Sequence, residues 1–174
     1  MISVNDVSKG FGGRLLFENV QVAFSPGNRY GLTGPNGSGK STFMKILIGE
    51  EETDEGTVRL PQRVGWLRQE HTAFDDLRVL DVAIMGNKRL WQAMATKEEI
   101  YERGEFNDAD NDMLGEMECV VAEEDGYSAE SEAAVLLDGL GIPGEFHDGP
   151  MAHLQGGLKL RVLLAQAIFG NPEA

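Results

Sequence analysis

The chain has 174 residues, 41% of them hydrophobic, and a formal net charge of −14 at pH 7. This length and hydrophobic content suffice for a globular core and argue against a wholly disordered chain. The sequence has neither an apolar run near 18 residues nor the basic-then-apolar start of a signal peptide, which predicts a cytoplasmic protein without membrane insertion. The single Cys119 excludes an intrachain disulfide, and the three histidines lie too far apart for a local zinc motif.

The first thirty residues favour an antiparallel pair of strands. Residues 2–7 and 15–24 are rich in β-favouring side chains, and the second run alternates imperfectly between apolar and polar positions. A Ser-Pro-Gly-Asn turn at residues 25–28 leads to another short β-favouring run at residues 29–33, which we expect to be a buried strand.

A phosphate-binding loop, the Walker A motif, follows directly. Residues 34–42 read Gly-Pro-Asn-Gly-Ser-Gly-Lys-Ser-Thr and contain the pattern G-x-x-x-x-G-K-[ST]. Glycines allow backbone N–H groups to surround a phosphate, Lys40 would place its charge on the β- and γ-phosphates, and Ser41 would offer its hydroxyl to Mg²⁺. Apolar residues at helical spacing after Lys40 predict a helix whose N-terminus favours the triphosphate. The predicted nucleotide-binding residues of this loop are Gly34, Pro35, Asn36, Gly37, Ser38, Gly39, Lys40, Ser41 and Thr42.

After the phosphate loop and its helix, the sequence predicts two short strands and then mainly helices. Residues 57–60 and 64–67 are short strand candidates, which together with the phosphate loop predict a mixed α/β core. From residue 77 onward the apolar pattern is helical, so the middle of the chain is predicted to be a helical insertion. Residues 157–169 predict a buried helix that stops at the Gly-Asn-Pro sequence of residues 170–172.

Most of the negative charge lies in one segment. Residues 98–132 contain fourteen acidic residues and one basic residue, Arg103, so this segment has a net charge of −13. It is either the solvated face of a helical subdomain or a dedicated contact surface. The start at residues 108–112 resembles a calcium loop, but Met113 stands where the turn needs Gly and Cys119 where the bidentate Glu should be.

Four motifs in this order resemble the nucleotide-binding domain of ATP-binding cassette (ABC) proteins. Phe11 lies where that family places an aromatic ring against adenine, and the phosphate loop is the second motif. Gln69 is similar to the Q-loop glutamine, whose amide oxygen reaches Mg²⁺ or the attacking water. Residues 154–158, Leu-Gln-Gly-Gly-Leu, are similar to the signature motif, in which a helix N-terminus faces the γ-phosphate held by a partner domain. Taken alone, Phe11 could be a core aromatic, Gln69 a surface amide and the glycine pair an ordinary loop.

The resemblance implies a role for each of these positions. Lys40 and Gln69 would be catalytic, and Ser41 and Gln69 would ligate the metal. Beyond the phosphate loop, the residues that the resemblance assigns to ATP binding are Phe11, Gln155, Gly156 and Gly157. Gln155 departs from the family pattern, which usually has Ser, and its longer amide must fold back to reach a phosphate.

The resemblance also implies the architecture. We expect the α/β fold of an ABC-type P-loop NTPase, with a mixed sheet that has an N-terminal antiparallel part, a helical insertion, and truncation before the Walker B motif. The predicted domains are an ATP-binding α/β core with Walker A and Q-loop at residues 1–76, a helical subdomain with an acidic arm at 77–150, and the signature motif with its helix at 151–174.

Within the ABC proteins the chain resembles the ABC-F group, and its YbiT-type members in particular. The stretches that carry this resemblance are residues 30–47, 84–86, 124–130 and 159–172, and the 85 positions from Gln69 to Leu154 leave room for an ABC-F arm. The resemblance implies an ATPase with two cassettes in one polypeptide, whose partners are the second nucleotide-binding domain and the ribosome. The alternative is the ATP-binding subunit of a membrane ABC transporter. Because the family's Walker B Asp and catalytic Glu would lie beyond residue 174, we expect this chain to bind ATP and Mg²⁺ with little hydrolysis.

Overall fold

The computed structural model describes residues 1–67 and 72–174, with residue 72 described by its backbone alone. These residues form two compact units. The first consists of Met1–Trp66 with Glu173–Ala174, and the second of Leu67–Pro172. Each unit has its own cluster of buried apolar side chains, so each has its own hydrophobic core.

A three-stranded antiparallel sheet and one helix form the first unit, with strand order β2-β1-β3. Its elements are β1 (Ile2–Phe11), β2 (Arg14–Phe24), α1 (Lys40–Leu47) and β3 (Glu55–Arg59). The hairpin of β1 and β2 closes at the pair Phe11 and Arg14, across two glycines with positive φ. The predicted antiparallel strand pair is therefore confirmed, and so is the helix after the phosphate loop.

The core of the first unit lies between the central strand and the helix. Val4 and Val7 of β1 are almost completely buried, as are the side chains that α1 turns toward the sheet, Phe43, Ile46 and Leu47. Their spacing of three and four residues places them on one face of the helix. The amphipathic pattern of α1 thus fixes the helix that follows the phosphate loop onto the sheet.

Two predicted strands are wrong. Residues 29–33 and 64–67 are irregular, and Tyr30 and Leu32 are each 49% exposed where a buried strand was expected. A strand needs a neighbouring backbone that satisfies its N–H and C=O groups, and in the part of the chain that the structure describes no strand pairs with residues 29–33. The predicted mixed sheet is accordingly present only as its antiparallel part.

The second of these segments is nonetheless tied to the last residues of the first unit. The N–H of Gly65 donates to the carbonyl of Ala174 at 2.8 Å, and the N–H of Glu173 donates to the carbonyl of Arg63 at 2.9 Å. These two bonds align residues 63–65 with residues 173–174, but no strand is formed in either segment.

The second unit is helical, as the pattern from residue 77 onward predicts. Its longer helices are α2 (Val79–Ile84), α3 (Lys88–Arg103), α4 (Asp108–Glu123), α5 (Ala129–Gly139) and α6 (Gly156–Ile168), with short 3-10 turns at Thr72–Phe74, Gly144–Phe146 and Met151–His153. Helix α2 is buried along its length except for Asp81, and it packs against α5 and α6. The last helix ends before Gly170, whose φ of 82° suits a helix stop, so the predicted end is confirmed.

Helices α3 and α4 form an antiparallel hairpin that carries much of the acidic segment. Ion pairs join them along its length, from Arg89 with Glu123, through Lys97 with Glu118, to Arg103 with Asp110 near the connection. Of the fourteen acidic side chains in residues 98–132, twelve are exposed. This exposure suits a solvated face and also leaves these side chains available for contact, so both interpretations stay open.

Helix α4 begins with a reciprocal cap. The side-chain oxygen of Asn107 accepts from the N–H of Asp110 at 2.9 Å, and a carboxylate oxygen of Asp110 accepts from the N–H of Asn107 at 3.1 Å. The other carboxylate oxygen of Asp110 lies 2.7 Å from the guanidinium of Arg103. The hydrogen bond from the Asn107 backbone, and then Arg103, hold the pKa of Asp110 below its usual value.

Gly86 lies where two parts of the helical unit approach each other closely. A Cβ atom on Gly86 would lie 1.9 Å from the backbone carbonyl oxygen of Gln166 in α6 and 2.9 Å from its carbonyl carbon. Because both atoms belong to the backbone of a packed helix, no side-chain rotation could make room.

We predict that Gly86→Ala lowers the free energy of unfolding by about 1–3 kcal/mol, the usual cost of overpacking a core. The matched control is Gly115→Ala in α4, where an added Cβ meets nothing within 4 Å and alanine is the better helix former by about 1 kcal/mol. Urea unfolding of both variants and the wild type measures the difference. An unfolding midpoint of Gly86→Ala equal to that of the wild type would contradict the packing of α2 on α6.

We also predict that Asp110→Asn destabilises the protein in a pH-dependent way. Since the folded pKa of Asp110 is lowered, the contribution of its carboxylate is complete above its unfolded pKa and is lost as the pH falls through the folded value. The unfolding midpoint of Asp110→Asn in urea should therefore lie below that of the wild type at pH 7, and the gap should narrow at about pH 3. The control is Asp112→Asn, an exposed position on the same helix. A gap that stays constant between the two pH values would refute the ionic origin of the effect.

Candidate nucleotide-binding site

The phosphate loop of the first unit is open to solvent. Its exposed residues are Gly34, Pro35, Asn36, Gly37 and Ser41, and its half-buried ones are Ser38, Gly39, Lys40 and Thr42. The backbone turns back at residues 36–37, where the N–H of Ser38 approaches the carbonyl of Pro35 at 3.3 Å. The loop is therefore accessible to a ligand from outside.

Gly39 is required at the end of the loop for two independent reasons. Its φ of 89° lies in the left-handed region, which side chains other than glycine rarely adopt. A Cβ atom here would also lie 3.1 Å from Cδ1 of Phe17 and 3.2 Å from Cβ of Leu16, both on β2. The phosphate loop thus rests directly on the sheet where α1 begins.

Lys40 is the cation of the loop. Its Nζ donates to the carbonyl oxygens of Gly34 at 2.9 Å and Pro35 at 2.8 Å, which draws the ammonium group back across the loop. Both acceptors are neutral, so an ionised phosphate oxygen would be the stronger partner for the same ammonium group. A phosphate oxygen could therefore replace these carbonyls as the acceptor of the Lys40 ammonium group.

The start of α1 adds further positive potential at the same place. The first intrahelical bond runs from the N–H of Phe43 to the carbonyl of Gly39 at 2.8 Å, so the N–H groups before it point out of the helix end. Ser41 lies in this first turn and is exposed. A single hydroxyl suits Mg²⁺, which usually keeps several waters and phosphate oxygens as ligands.

Phe11 lies at the tip of the β1–β2 hairpin with 52% of its surface exposed. A half-exposed ring at the end of a strand has a flat apolar surface that a nucleotide base could cover. The ammonium group of Lys9 lies over this ring, 5.0 Å from its centroid. Phe11 was predicted from the sequence and Lys9 was not, although a basic residue two positions before an aromatic one on a strand places both side chains on one face.

The predicted Q-loop residue, Gln69, lies outside the described residues, so its catalytic and metal-binding roles stay predictions. Among the residues that the structure does describe, no three or more His, Cys, Asp or Glu side chains converge on a possible metal position. The predicted protein ligands of a magnesium ion at this site are Ser41 and Gln69, with the nucleotide and water completing its coordination.

The signature residues belong to the second unit, at the N-terminus of α6. Gln155, Gly156 and Gly157 are all exposed, and an added Cβ on either glycine would meet nothing within 4 Å. The side chain of Gln155 makes no capping bond, whereas its carbonyl accepts from the N–H groups of Leu158 at 2.8 Å and Lys159 at 3.0 Å. The helix end is therefore bare, with backbone N–H groups open to an approaching anion.

The first turn of α6 is nevertheless firmly held. Leu154, directly before the motif, is only 5% exposed and belongs to the core of the helical unit. The Nζ of Lys159 lies 2.5 Å from a carboxylate oxygen of Asp75. An anchored helix with an uncovered N-terminus can bind an anion without rearrangement.

Comparison with known proteins yields a family match and close relatives. The family model described as "ABC transporter" matches residues 17–174. The chain is 49% identical to an uncharacterized ABC transporter ATP-binding protein, YkpA of Bacillus subtilis, and to a probable ATP-binding protein, YbiT of Escherichia coli O157:H7. These alignments cover 99% of this chain and 32% and 33% of the two relatives. The tylosin resistance ATP-binding protein TlrC of Streptomyces fradiae is 32% identical over 99% of this chain and 33% of its own length.

Solved structures agree on the fold. A nucleotide-free ATP-binding cassette from an ABC transporter superposes with a TM-score of 0.65 at 22% identity, covering 99% of this chain and 66% of that one. A bacterial ABC transporter cassette in a dimeric structure gives a TM-score of 0.63 at 20% identity, with coverage of 99% and 71%. The fold is therefore that of an ABC-type P-loop cassette. The chain itself spans about a third of the length of the curated relatives that it matches.

Proposed function

The chain belongs to the ABC transporter family, and we propose that its phosphate loop binds ATP together with Mg²⁺. One observation carries this proposal: the ammonium group of Lys40 is held across an open loop by two neutral carbonyls, where phosphate oxygens would be better acceptors. The exposed hydroxyl of Ser41 would ligate the metal. When bound, Mg²⁺ would neutralise part of the charge on the β- and γ-phosphates.

The remaining predicted residues complete the site in this proposal. Phe11 would stack on the base, and Gln69 would reach the metal or the attacking water. The bare N-terminus of α6, with Gln155, Gly156 and Gly157, would face the γ-phosphate held by a second nucleotide-binding domain of the same polypeptide. In this proposal, hydrolysis would occur in the full-length, two-cassette protein, and this chain would contribute Lys40 and Gln69 as catalytic residues. The chain alone would bind nucleotide with slight hydrolysis.

We predict that Lys40→Ala weakens ATP binding by about 10- to 100-fold, since hydrogen bonds to charged groups contribute about 1.5–3 kcal/mol. Lys45→Ala is the matched control, because Lys45 is an exposed lysine near the other end of α1 and its removal changes the net charge equally. Titration calorimetry with ATP and Mg²⁺ measures the affinities of both variants and the wild type. Equal affinities of Lys40→Ala and Lys45→Ala would show that the loop is not the phosphate site.

For the full-length protein, we propose a cytoplasmic ABC-F ATPase that acts on the ribosome in translation. The similarity to YkpA and YbiT supports this assignment, and ABC-F proteins bind the ribosome. None of the helices in the described parts of the chain combines the length and apolar character needed to cross a bilayer. The exposed acidic residues of 98–132 would be repelled by ribosomal RNA, so that face would meet a basic protein surface instead.

A second candidate is the ATP-binding subunit of a membrane ABC transporter. The similarity to YkpA favours it, because YkpA is named as an ABC transporter ATP-binding protein. A transporter subunit would be recovered with the membrane domains that it drives, whereas a translation factor would be recovered with ribosomes. The cellular fraction that holds the full-length protein therefore discriminates the two candidates.

We predict that the full-length protein sediments with ribosomes in the presence of ATP, and that Lys40→Ala reduces this association while Lys45→Ala does not. Sucrose-gradient sedimentation followed by immunoblotting of the ribosomal and membrane fractions measures the distribution. Absence from the ribosomal fraction in every nucleotide state would refute a role in translation. Recovery with the membrane fraction would instead support the transporter subunit.

A further inference from the structure

We propose that Lys9 is a positioning residue for the nucleotide base: its ammonium group holds and polarises the Phe11 ring, so that this site favours a purine nucleotide over bare polyphosphate. The inference rests on the proposed binding of ATP and concerns the base alone. Neither the phosphate-loop motif nor the family resemblance assigns Lys9 a role.

Lys9 is a buried and fully engaged cation. Its side chain is only 8% exposed, although lysine side chains are seldom buried. Its Nζ donates to the carbonyl of Glu52 at 2.7 Å and lies 2.9 Å from a carboxylate oxygen of Glu51 and 3.3 Å from one of Asp54. These partners, Glu51 first and Asp54 next, raise the pKa of Lys9. The ammonium group therefore remains charged and has a fixed position.

The same carboxylate that binds Lys9 also binds the backbone next to Phe11. The second carboxylate oxygen of Asp54 accepts from the N–H of Gly10 at 2.8 Å. The hydrogen bond from Gly10 and the contact with Lys9 lower the pKa of Asp54, so this group stays ionised. Asp54 thus holds both the ammonium group of Lys9 and the backbone before Phe11 in place.

The geometry between Lys9 and the ring is that of a cation–π contact. The Nζ lies 5.0 Å from the ring centroid, inside the limit of about 6 Å for such contacts. Since Phe11 is 52% exposed, a large part of the ring remains open for a base. A cation over one face draws π-electron density toward itself, which favours stacking of a large, electron-rich base on the other face. Purines fit that description best.

The hairpin that carries Lys9 and Phe11 also supports the phosphate loop. The ladder partner of Lys9 is Phe17 on β2, and Cδ1 of Phe17 would lie 3.1 Å from a Cβ atom on Gly39. A displacement of the β1–β2 hairpin would therefore move both Phe11, on which the base would stack, and Phe17, against which the phosphate loop lies. Lys9 lies at the point where the hairpin tip is held in place.

The competing explanation is that Lys9 only fastens the acidic turn that precedes β3. In that case its removal would weaken the whole unit and would lower the affinity for any ligand of the phosphate loop. If Lys9 positions the ring, its removal lowers the affinity for nucleotide and leaves the affinity for inorganic tripolyphosphate unchanged. The comparison of the two ligands separates the two roles.

The test is titration calorimetry of the wild type, Lys9→Met, Lys9→Arg and Phe11→Ala with ATP and with inorganic tripolyphosphate, both with Mg²⁺. Lys9→Met should weaken ATP binding about two- to fivefold, as expected for one partly exposed cation–π contact, and should leave tripolyphosphate binding unchanged. Lys9→Arg should restore ATP binding, since arginine also forms cation–π contacts. In the Phe11→Ala background, Lys9→Met should have no further effect on ATP binding, because the ring through which it acts is gone.

Phe11→Leu provides a second test that leaves the ion pairs of Lys9 intact. Leucine keeps the apolar bulk but removes the π system, so ATP affinity should fall while tripolyphosphate affinity stays the same. The inference is overturned if Lys9→Met weakens both ligands by the same factor, if Phe11→Leu binds ATP as well as the wild type does, or if the wild type binds the two ligands equally. A wild type that binds neither ligand would refute the proposed ATP binding itself.

Discussion

The candidate nucleotide site of the first unit depends on the close contact between the end of the phosphate loop and the sheet. Cδ1 of Phe17 approaches the space where a side chain on Gly39 would begin, and the same ring packs edge-on against Phe43 of α1 with centroids 5.6 Å apart. The helix is thereby fixed on the sheet from its first turn. This packing therefore also fixes the positions of Lys40 and Ser41, the first residues of that helix.

The acidic segment and the phosphate loop belong to different units of the chain. Residues 98–132 carry a net charge of −13 of the total of −14, which leaves the remaining residues nearly neutral. Within the first unit, Lys40 and the start of α1 provide the positive potential for a polyphosphate, although the whole chain is acidic.

Local patterns predicted most of the architecture, and long-range contacts explain what they missed. The hairpin, the phosphate loop and the helices follow from spacings within a few residues, so the sequence alone sufficed. Residues 29–33 have the composition of a strand, but a strand exists only where a neighbouring backbone pairs with it. The spacing of Lys9 and Phe11 shows only that they share a face of the strand, whereas the partners that bury and hold Lys9, Glu51 and Asp54, lie more than forty positions away along the chain.

The glycines of the helical unit show why a motif must be interpreted together with its surroundings. Gly86 lies against the backbone of Gln166 in α6, so any side chain there would push α6 away from the segment that follows α2. Gly156 and Gly157 face open space, and packing places no restriction on them. Glycines that packing does not require, at the bare end of a helix anchored by Leu154, are better explained by the close approach of another molecule. The exposed N-terminus of α6 therefore meets the requirement of the proposed anion contact, whereas Gly86 belongs to the scaffold that holds that helix in place.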